Sequence, residues 1–118
     1  MVTENWEDSF WFFSRMTQEE ALILARRYKL SLEEASIPMS AFIVFGSVAR
    51  NEMHDQSDVD IAVVGTSFKG DRLQEMSDIR KLRYPISYRL QPIWFYPEDL
   101  EDKYSTLASE IRKDGILV

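Results

Sequence analysis

The sequence predicts a small α/β or α+β domain in which a mixed β-sheet is flanked by helices. Segments with helical periodicity alternate with short strand-like runs, in the order α-β-α-β-α-β-α. The length of 118 residues suits one hydrophobic core, and 45% hydrophobic with 29% charged residues is an ordinary globular balance. We therefore predict a single domain over residues 1–118, with residues 1–16 as an aromatic-rich arm or helix.

Charge and composition restrict the class of protein. The formal net charge is −6, from 20 acidic and 14 basic residues, which argues against direct binding of a nucleic-acid backbone. The lack of cysteine excludes disulfides and zinc–thiolate sites and fits a cytoplasmic location. The amino-terminal residues lack the pattern of a secretory signal, and no apolar run has the length of a membrane helix, so we expect no membrane association.

The first elements are an aromatic segment and a helix. The aromatic segment either packs on the domain or contacts a partner chain, because aromatic side chains are enriched at interfaces. Its aromatic residues are Trp6, Phe10, Trp11, Phe12 and Phe13. Thr17 and Glu20 have the spacing of a capping box and begin a helix that ends before Pro38. The predicted apolar face of this helix consists of Ala21, Ala25, Tyr28, Leu32 and Ala35.

The centre of the chain has the pattern strand, helix, loop, strand. Ala41–Phe45 is a short apolar run that predicts a buried strand, and residues 47–50 follow it as the start of a helix. Residues 51–57 are polar without periodicity and predict a loop. Residues 58–64 predict a second strand, because Val59, Ile61 and Val63 recur at every second position and so share one face.

The carboxyl-terminal part predicts one more strand and three helical segments. Residues 71–83 carry apolar side chains at helical steps. Residues 86–95 predict a third strand, in which Pro92 requires an edge or a bulge because it has no N–H group. Pro97 begins a short turn or helix, and residues 105–113 form a last helix.

The residues with a chemical signature begin where the first strand becomes a helix. Gly46 has no Cβ, which allows the backbone to approach a phosphate closely. The hydroxyl of Ser47 and the free N–H groups of the helix start are donors for phosphate oxygens. Arg50 lies one turn further on and either binds a phosphate, steadies the loop or forms a structural salt bridge.

Asp58 and Asp60 are the candidate metal ligands and catalytic residues. They are two residues apart on a strand, so their side chains leave the same face, with Cα atoms roughly 6–7 Å apart. Two such carboxylates can bind one or two Mg²⁺ ions, which neutralise a triphosphate and align an attacking oxygen. The alternative is a pair of strand-edge carboxylates that cap a loop; Gly46 and Ser47 upstream favour the metal site.

This stretch resembles the nucleotidyltransferase superfamily with the DNA-polymerase-β-like fold, and in particular its minimal members, the minimal nucleotidyltransferases. The family pattern is Gly-Ser, a gap and Asp-x-Asp, and here ten residues separate Ser47 from Asp58. The local sequences Gly-Ser-x-Ala-Arg and Ser-Asp-x-Asp-Ile-Ala-Val are also similar to those of this family. The resemblance implies that fold, ATP as the substrate and Mg²⁺ as the cofactor.

One part of the family pattern is missing. The family has a third carboxylate on the third strand, in the motif Asp-x-Arg-x-Glu-Pro. At the two acidic positions of this motif the present chain has the neutral residues Ser87 and Gln91. Alternation along a strand predicts that Ser87, Arg89 and Gln91 share the face turned toward the two aspartates. The loss puts turnover in doubt, while nucleotide binding is still expected. Glu98 and Asp99 either replace the carboxylate or favour the amino end of a short helix.

Three functions from different classes follow. The first is Mg²⁺-dependent transfer of AMP from ATP to a hydroxyl; the second is a nucleotide- or partner-binding module without turnover; the third is a small-molecule adenylyltransferase. Small members of the resembled family are the antitoxins of two-gene systems whose partner is a helical HEPN-type toxin. The resemblance therefore implies transfer to a tyrosine of that partner. The aromatic segment, the small size of the chain and the resemblance together predict a homodimer or a hetero-oligomer.

Other polar and aromatic residues have simpler interpretations. We expect His54 to be solvated rather than a metal ligand, and the cluster Arg80, Lys81 and Arg83 to be a solvated helix end. The aromatic run Trp94, Phe95 and Tyr96 is interpreted as core and rim rather than as a surface on which bases stack.

Overall fold

The computed structural model describes residues 16–54, 57–66 and 70–118, and in them it has the predicted α/β class. Residues 1–15 of the predicted amino-terminal arm lie outside the described residues. The elements are α1 (Gln18–Glu34), β1 (Ala41–Phe45), α2 (Gly46–Ala49), β2 (Val59–Val64), α3 (Arg72–Lys81), β3 (Leu90–Phe95), a 3₁₀ helix (Pro97–Glu101), α4 (Thr106–Asp114) and β4 (Ile116–Leu117). None of the helices in these ranges is long and apolar enough to cross a bilayer.

The strands form one mixed sheet in the order β3-β2-β1-β4. β1 is antiparallel to both β2 and β4, and β2 is parallel to β3. The register places Phe45 of β1 beside Asp60 of β2, and Asp60 beside Gln91 of β3. The connection from β2 to β3 passes through α3, as a parallel pair requires.

Helix α1 begins at the predicted capping box. The backbone N–H of Glu20 donates to Oγ1 of Thr17 over 3.1 Å, and the N–H of Thr17 donates to Oε1 of Glu20 over 3.2 Å. Four residues of the predicted apolar face are fully buried: Ala21, Ala25, Tyr28 and Leu32. The prediction for Ala35 was wrong, because the helix ends at Glu34 and Ala35 is its exposed C-cap.

Hydrophobic side chains cover both faces of the sheet. On one face α1 and α3 pack on alternate residues of β1 and β2, and Tyr28 lies 6.0 Å from Phe42 between ring centroids. On the other face α4 packs through Ile111 on Phe45 and Ala62. Asp60 has the same parity as Ala62 along β2, so its side chain lies on the face that α4 covers.

One prediction about the carboxyl-terminal strands was wrong, and one strand was missed. β3 begins at Leu90 rather than at residue 86, because the N–H groups of Ile86 and Ser87 both donate to the carbonyl of Arg83 and fold this stretch into turns. β4 was not predicted, because a strand of two residues is too short to show an alternation of apolar and polar side chains. The edge position of Pro92 is confirmed, because β3 is the outermost strand beside β2.

Candidate functional site

The two aspartates lie at the start of β2. Asp60 is the second residue of the strand and is half-buried, whereas Asp58 precedes the strand and is exposed. Burial raises the pKa of Asp60 above its ordinary value, with smaller contributions from the negative charges of Asp58 and Glu110, while Arg50 lowers it. The like charges at this position favour a bound cation.

The turn between β1 and α2 packs directly on Asp60. The antiparallel register of β1 and β2 brings Gly46 to this point, and its φ of +75° is a left-handed conformation that favours glycine. A Cβ on Gly46 would lie only 2.4 Å from Oδ2 of Asp60. The missing side chain of Gly46 thus leaves room for the carboxylate, a role that the sequence did not indicate.

Ser47 is the second residue of α2, directly after Gly46. No side chain caps the amino end of this four-residue helix, and the first N–H groups of a helix have no partner within it. Ser47 is itself partly exposed. The hydroxyl of Ser47 and the first N–H groups of α2 thus follow directly on Gly46, which packs against the half-buried carboxylate of Asp60.

Arg50 forms the salt bridge that the sequence left as an alternative. Its Nη1 lies 2.7 Å from Oε1 of Glu110 on α4, and its Nε lies 3.2 Å from Oε2 of Glu52. These contacts raise the pKa of the Arg50 guanidinium, with Glu110 as the larger cause. Glu110 therefore belongs to the neighbourhood of the site, although it lies sixty residues from Arg50 in the chain.

The structure separates the two positions of the missing third carboxylate. Gln91 pairs in register with Asp60, and its side chain accepts from Nη1 of Arg83 over 3.2 Å. Ser87 lies in the turns before β3 and lines a groove of about 360 Å³ together with side chains of α1. Gln91, and not Ser87, is thus the β3 residue beside Asp60.

The structure also shows the surroundings of several residues for which the sequence allowed more than one interpretation. Asp99 follows the far end of β3, where it accepts from the N–H of Tyr96 and pairs with Arg72, so it does not lie at the start of β2. The aromatic run is buried, as the core interpretation expects; it consists of Trp94, Phe95 and Tyr96. Arg83 is not a solvated helix end, because it donates to the carbonyl of Leu90. Within the described ranges no three metal-binding side chains cluster.

The fold is that of a nucleotidyltransferase domain. Comparison with known proteins supports this class, since residues 25–114 match the nucleotidyltransferase domain family. Because the match spans more than half of the chain, the chain belongs to that family. No curated protein matches it.

Two solved structures have a similar fold. One is a proposed nucleotidyltransferase from Sulfolobus solfataricus, with a TM-score of 0.62 and 19% identity, covering 99% of this chain and 89% of that chain. The other is a toxin–antitoxin with AMP-PNP, with a TM-score of 0.56 and 20% identity, covering 77% of this chain and 69% of that chain. Identities this low show that the fold is shared.

Proposed function

We propose that this protein transfers AMP from ATP to a hydroxyl group on a partner protein, with Mg²⁺ as the cofactor. The observation that carries the proposal is the packing of the Gly46–Ser47 turn against Asp60, with Asp58 two residues away. Donors for phosphate and acceptors for a cation then lie side by side. Membership of the nucleotidyltransferase domain family supports the same reaction class.

The donor set fits Mg²⁺ bound together with a nucleotide. Mg²⁺ prefers oxygen ligands and is usually held by one or two carboxylates, with substrate phosphates and water as its other ligands. Asp58 and Asp60 supply two carboxylates, and the described residues form no cluster of three metal-binding side chains. Bound there, Mg²⁺ would neutralise charge on the triphosphate. The chain's own donors at Ser47 and Arg50 would orient the phosphates.

A partner protein is the acceptor that we favour. The similar structure of a toxin–antitoxin with AMP-PNP supports it, together with the sequence resemblance to minimal nucleotidyltransferase antitoxins. We propose a helical HEPN-type toxin as the partner, with a tyrosine hydroxyl as the group that attacks the α-phosphate. That oxygen would form the new bond to phosphorus, pyrophosphate would leave, and the hydroxyl proton would pass to a base.

The proposal is tested first by nucleotide binding. A ligand that binds only the folded state raises the melting temperature, so ATP with Mg²⁺ is expected to stabilise the protein more than ATP with a chelator. Asp58→Ala combined with Asp60→Ala is expected to abolish the metal-dependent part. An unchanged metal-dependent shift in this double variant would refute the metal site.

Transfer is tested by intact mass spectrometry. The protein is incubated with ATP, Mg²⁺ and the protein encoded beside it, and one or more AMP units are expected on that neighbour. AMP found on a small molecule when no partner is present would instead support the small-molecule adenylyltransferase. A partner that copurifies without any gain in mass supports the second candidate function.

That second candidate is a nucleotide- or partner-binding module without turnover, and Gln91 favours it. An amide at the position beside Asp60 cannot accept a proton from an attacking hydroxyl. Loss of a positioned base typically lowers a rate by about 10²–10⁴. Gln91→Glu is therefore expected to raise the rate of AMP transfer, while Ser87→Asp, whose side chain lies in the turns before β3, serves as the control. Rapid transfer by the natural protein and no response to Gln91→Glu would exclude this candidate.

A further inference from the structure

Arg89 makes hydrogen bonds on both sides of Asp58. Its Nε and Nη2 donate to the carbonyl of Ser57 over 3.1 and 2.5 Å. Its own carbonyl accepts from the N–H of Val59 over 2.8 Å. The residues before and after the aspartate are thus bonded to the same arginine, and Asp58 itself lies exposed between them.

Ser57 and Arg89 each form further hydrogen bonds to their own segments of the chain. Ser57 is buried, its N–H donates to the carbonyl of His54 over 3.0 Å, and its Oγ accepts from the N–H of His54 over 2.8 Å. The N–H of Arg89 in turn donates to Oγ of Ser87 over 3.1 Å. Among the described residues, the guanidinium and the carbonyl of Arg89 therefore link the segment around Asp58 to the turns before β3.

Asp58 needs such a link because it lies outside the sheet. Asp60 is held by the ladders of β2 with both neighbouring strands, but Asp58 precedes β2 and has no ladder partner in the register of either strand pair. Two N–H donors of a charged guanidinium hold this carbonyl oxygen more firmly than a neutral donor would, because charge-assisted hydrogen bonds are stronger. Metal ligands commonly depend on such outer contacts for their orientation.

We propose that Arg89 is a positioning residue for the metal site, which holds Asp58 in place through the carbonyl of Ser57. This inference rests on the proposed function, in which Asp58 is a metal ligand. It also replaces the expectation from strand alternation, in which Arg89 shared the face turned toward the aspartates.

If Arg89 acts only through its charge, removing its side chain changes Mg²⁺ affinity in the opposite direction from the change expected if it positions Asp58. Removing a cation near a metal site strengthens cation binding if only the charge matters. Removing a hydrogen-bonded partner of the ligand's backbone weakens binding if geometry matters, by about 10-fold or more. The sign of the change therefore separates the two roles.

The experiment is a Mg²⁺ titration of the ATP-dependent melting temperature for Arg89→Ala, Arg89→Gln and Arg89→Lys. Arg72→Ala is the matched control, because Arg72 also donates to a backbone carbonyl, that of Trp94, and lies at the opposite end of β3. Each shift is measured from the metal-free melting temperature of the same variant, so a general loss of stability does not enter.

We expect the half-saturating Mg²⁺ concentration to rise about 10-fold in Arg89→Ala and Arg89→Gln and less in Arg89→Lys, which keeps a donor. Arg72→Ala is expected to match the natural protein. An unchanged or lower Mg²⁺ requirement in Arg89→Ala would overturn the inference, and Arg89→Lys carries the test if the alanine variant does not fold.

A second measurement decides the inference without any nucleotide. Hydrogen exchange at the amide of Val59 is expected to be faster in Arg89→Ala than in Arg72→Ala, because the segment around Asp58 opens more often. Equal exchange in the two variants would overturn the positioning role. A natural protein without any Mg²⁺-dependent response would refute the proposed function, while the exchange result would still decide the role of Arg89.

Discussion

Replacing Gly46 by alanine is expected to cost stability for two separable reasons. The φ of +75° at Gly46 is a left-handed conformation, which costs an L-residue about 1–2 kcal/mol. The added Cβ would also lie 2.4 Å from Oδ2 and 3.3 Å from Cγ of Asp60, so the carboxylate has to move. Forced repacking of this kind costs about 1–3 kcal/mol. We therefore expect the free energy of unfolding to fall by about 2–5 kcal/mol in total.

The two contributions are separated by a double-mutant cycle in urea denaturation. Gly46→Ala is measured in the natural protein and in the Asp60→Ala background, which lacks the carboxylate and therefore the close contact. Only the backbone cost is expected there, so the coupling between the two sites is about 1–3 kcal/mol. Gly46→Ala costing the same in both backgrounds would refute the argument that Gly46 makes room for Asp60.

The same substitution has a functional consequence. A carboxylate that moves by a sizeable part of an ångström no longer holds a metal ion in its productive geometry, because such sites tolerate only about 0.5 Å. Gly46→Ala is therefore expected to lose the Mg²⁺-dependent part of the ATP-induced rise in melting temperature. Thr17→Ala serves as the control, since it removes a hydrogen bond at the start of α1 and leaves Asp60 in place.

Three further substitutions test other parts of the structure. Thr17→Ala removes the capping box of α1 and is expected to cost about 1 kcal/mol by urea denaturation. Tyr28→Phe removes the buried hydroxyl that donates to the carbonyl of Ile79 over 2.5 Å, and is expected to cost about 1 kcal/mol while the ring contact with Phe42 remains. Asp60→Asn is expected to raise the metal-free melting temperature at neutral pH, because the raised pKa of Asp60 means that its charged form destabilises the fold. This gain in melting temperature is expected to shrink as the pH falls through the raised pKa of Asp60 in the folded state. It is expected to vanish below the ordinary value of 3.8, because Asp60 is then protonated in both the folded and the unfolded state. A gain that does not change with pH would contradict this reasoning.

The parts of the fold that could be predicted are those with local signals. β1 was predicted with the bounds that it has, since Ala41–Phe45 is an apolar run that ends at a glycine. The capping box of α1 was predicted because its two partners are three residues apart. Residues 86–89 alternate as a strand does, yet bonds to the carbonyl of Arg83 turn them, and no local pattern shows that.

The same distinction applies to the candidate site. The spacing from Gly46 to Asp60 is short, and the register of β1 and β2 brings these two residues together as the motif implies. The ion pair of Arg50 with Glu110 joins residues sixty positions apart, and the bond of Arg89 to Ser57 spans thirty-two. Such contacts follow from the packing of α4 and of the turns before β3, which a single sequence does not indicate.

The two arginines of the site differ in what holds them, and this difference assigns them different tasks in the proposed function. Arg50 pairs with the carboxylates of Glu52 and Glu110 at a partly exposed position, where an ion pair contributes little net stability. A triphosphate can therefore take over its guanidinium at low cost, because phosphate oxygens accept the same donors. Arg89 instead donates to the carbonyl of buried Ser57, which would be left without these donors if the arginine moved toward a ligand. Arg50 is thus the arginine free to exchange its partners for a nucleotide, and Arg89 is the one whose bonds keep Asp58 in place while that exchange occurs.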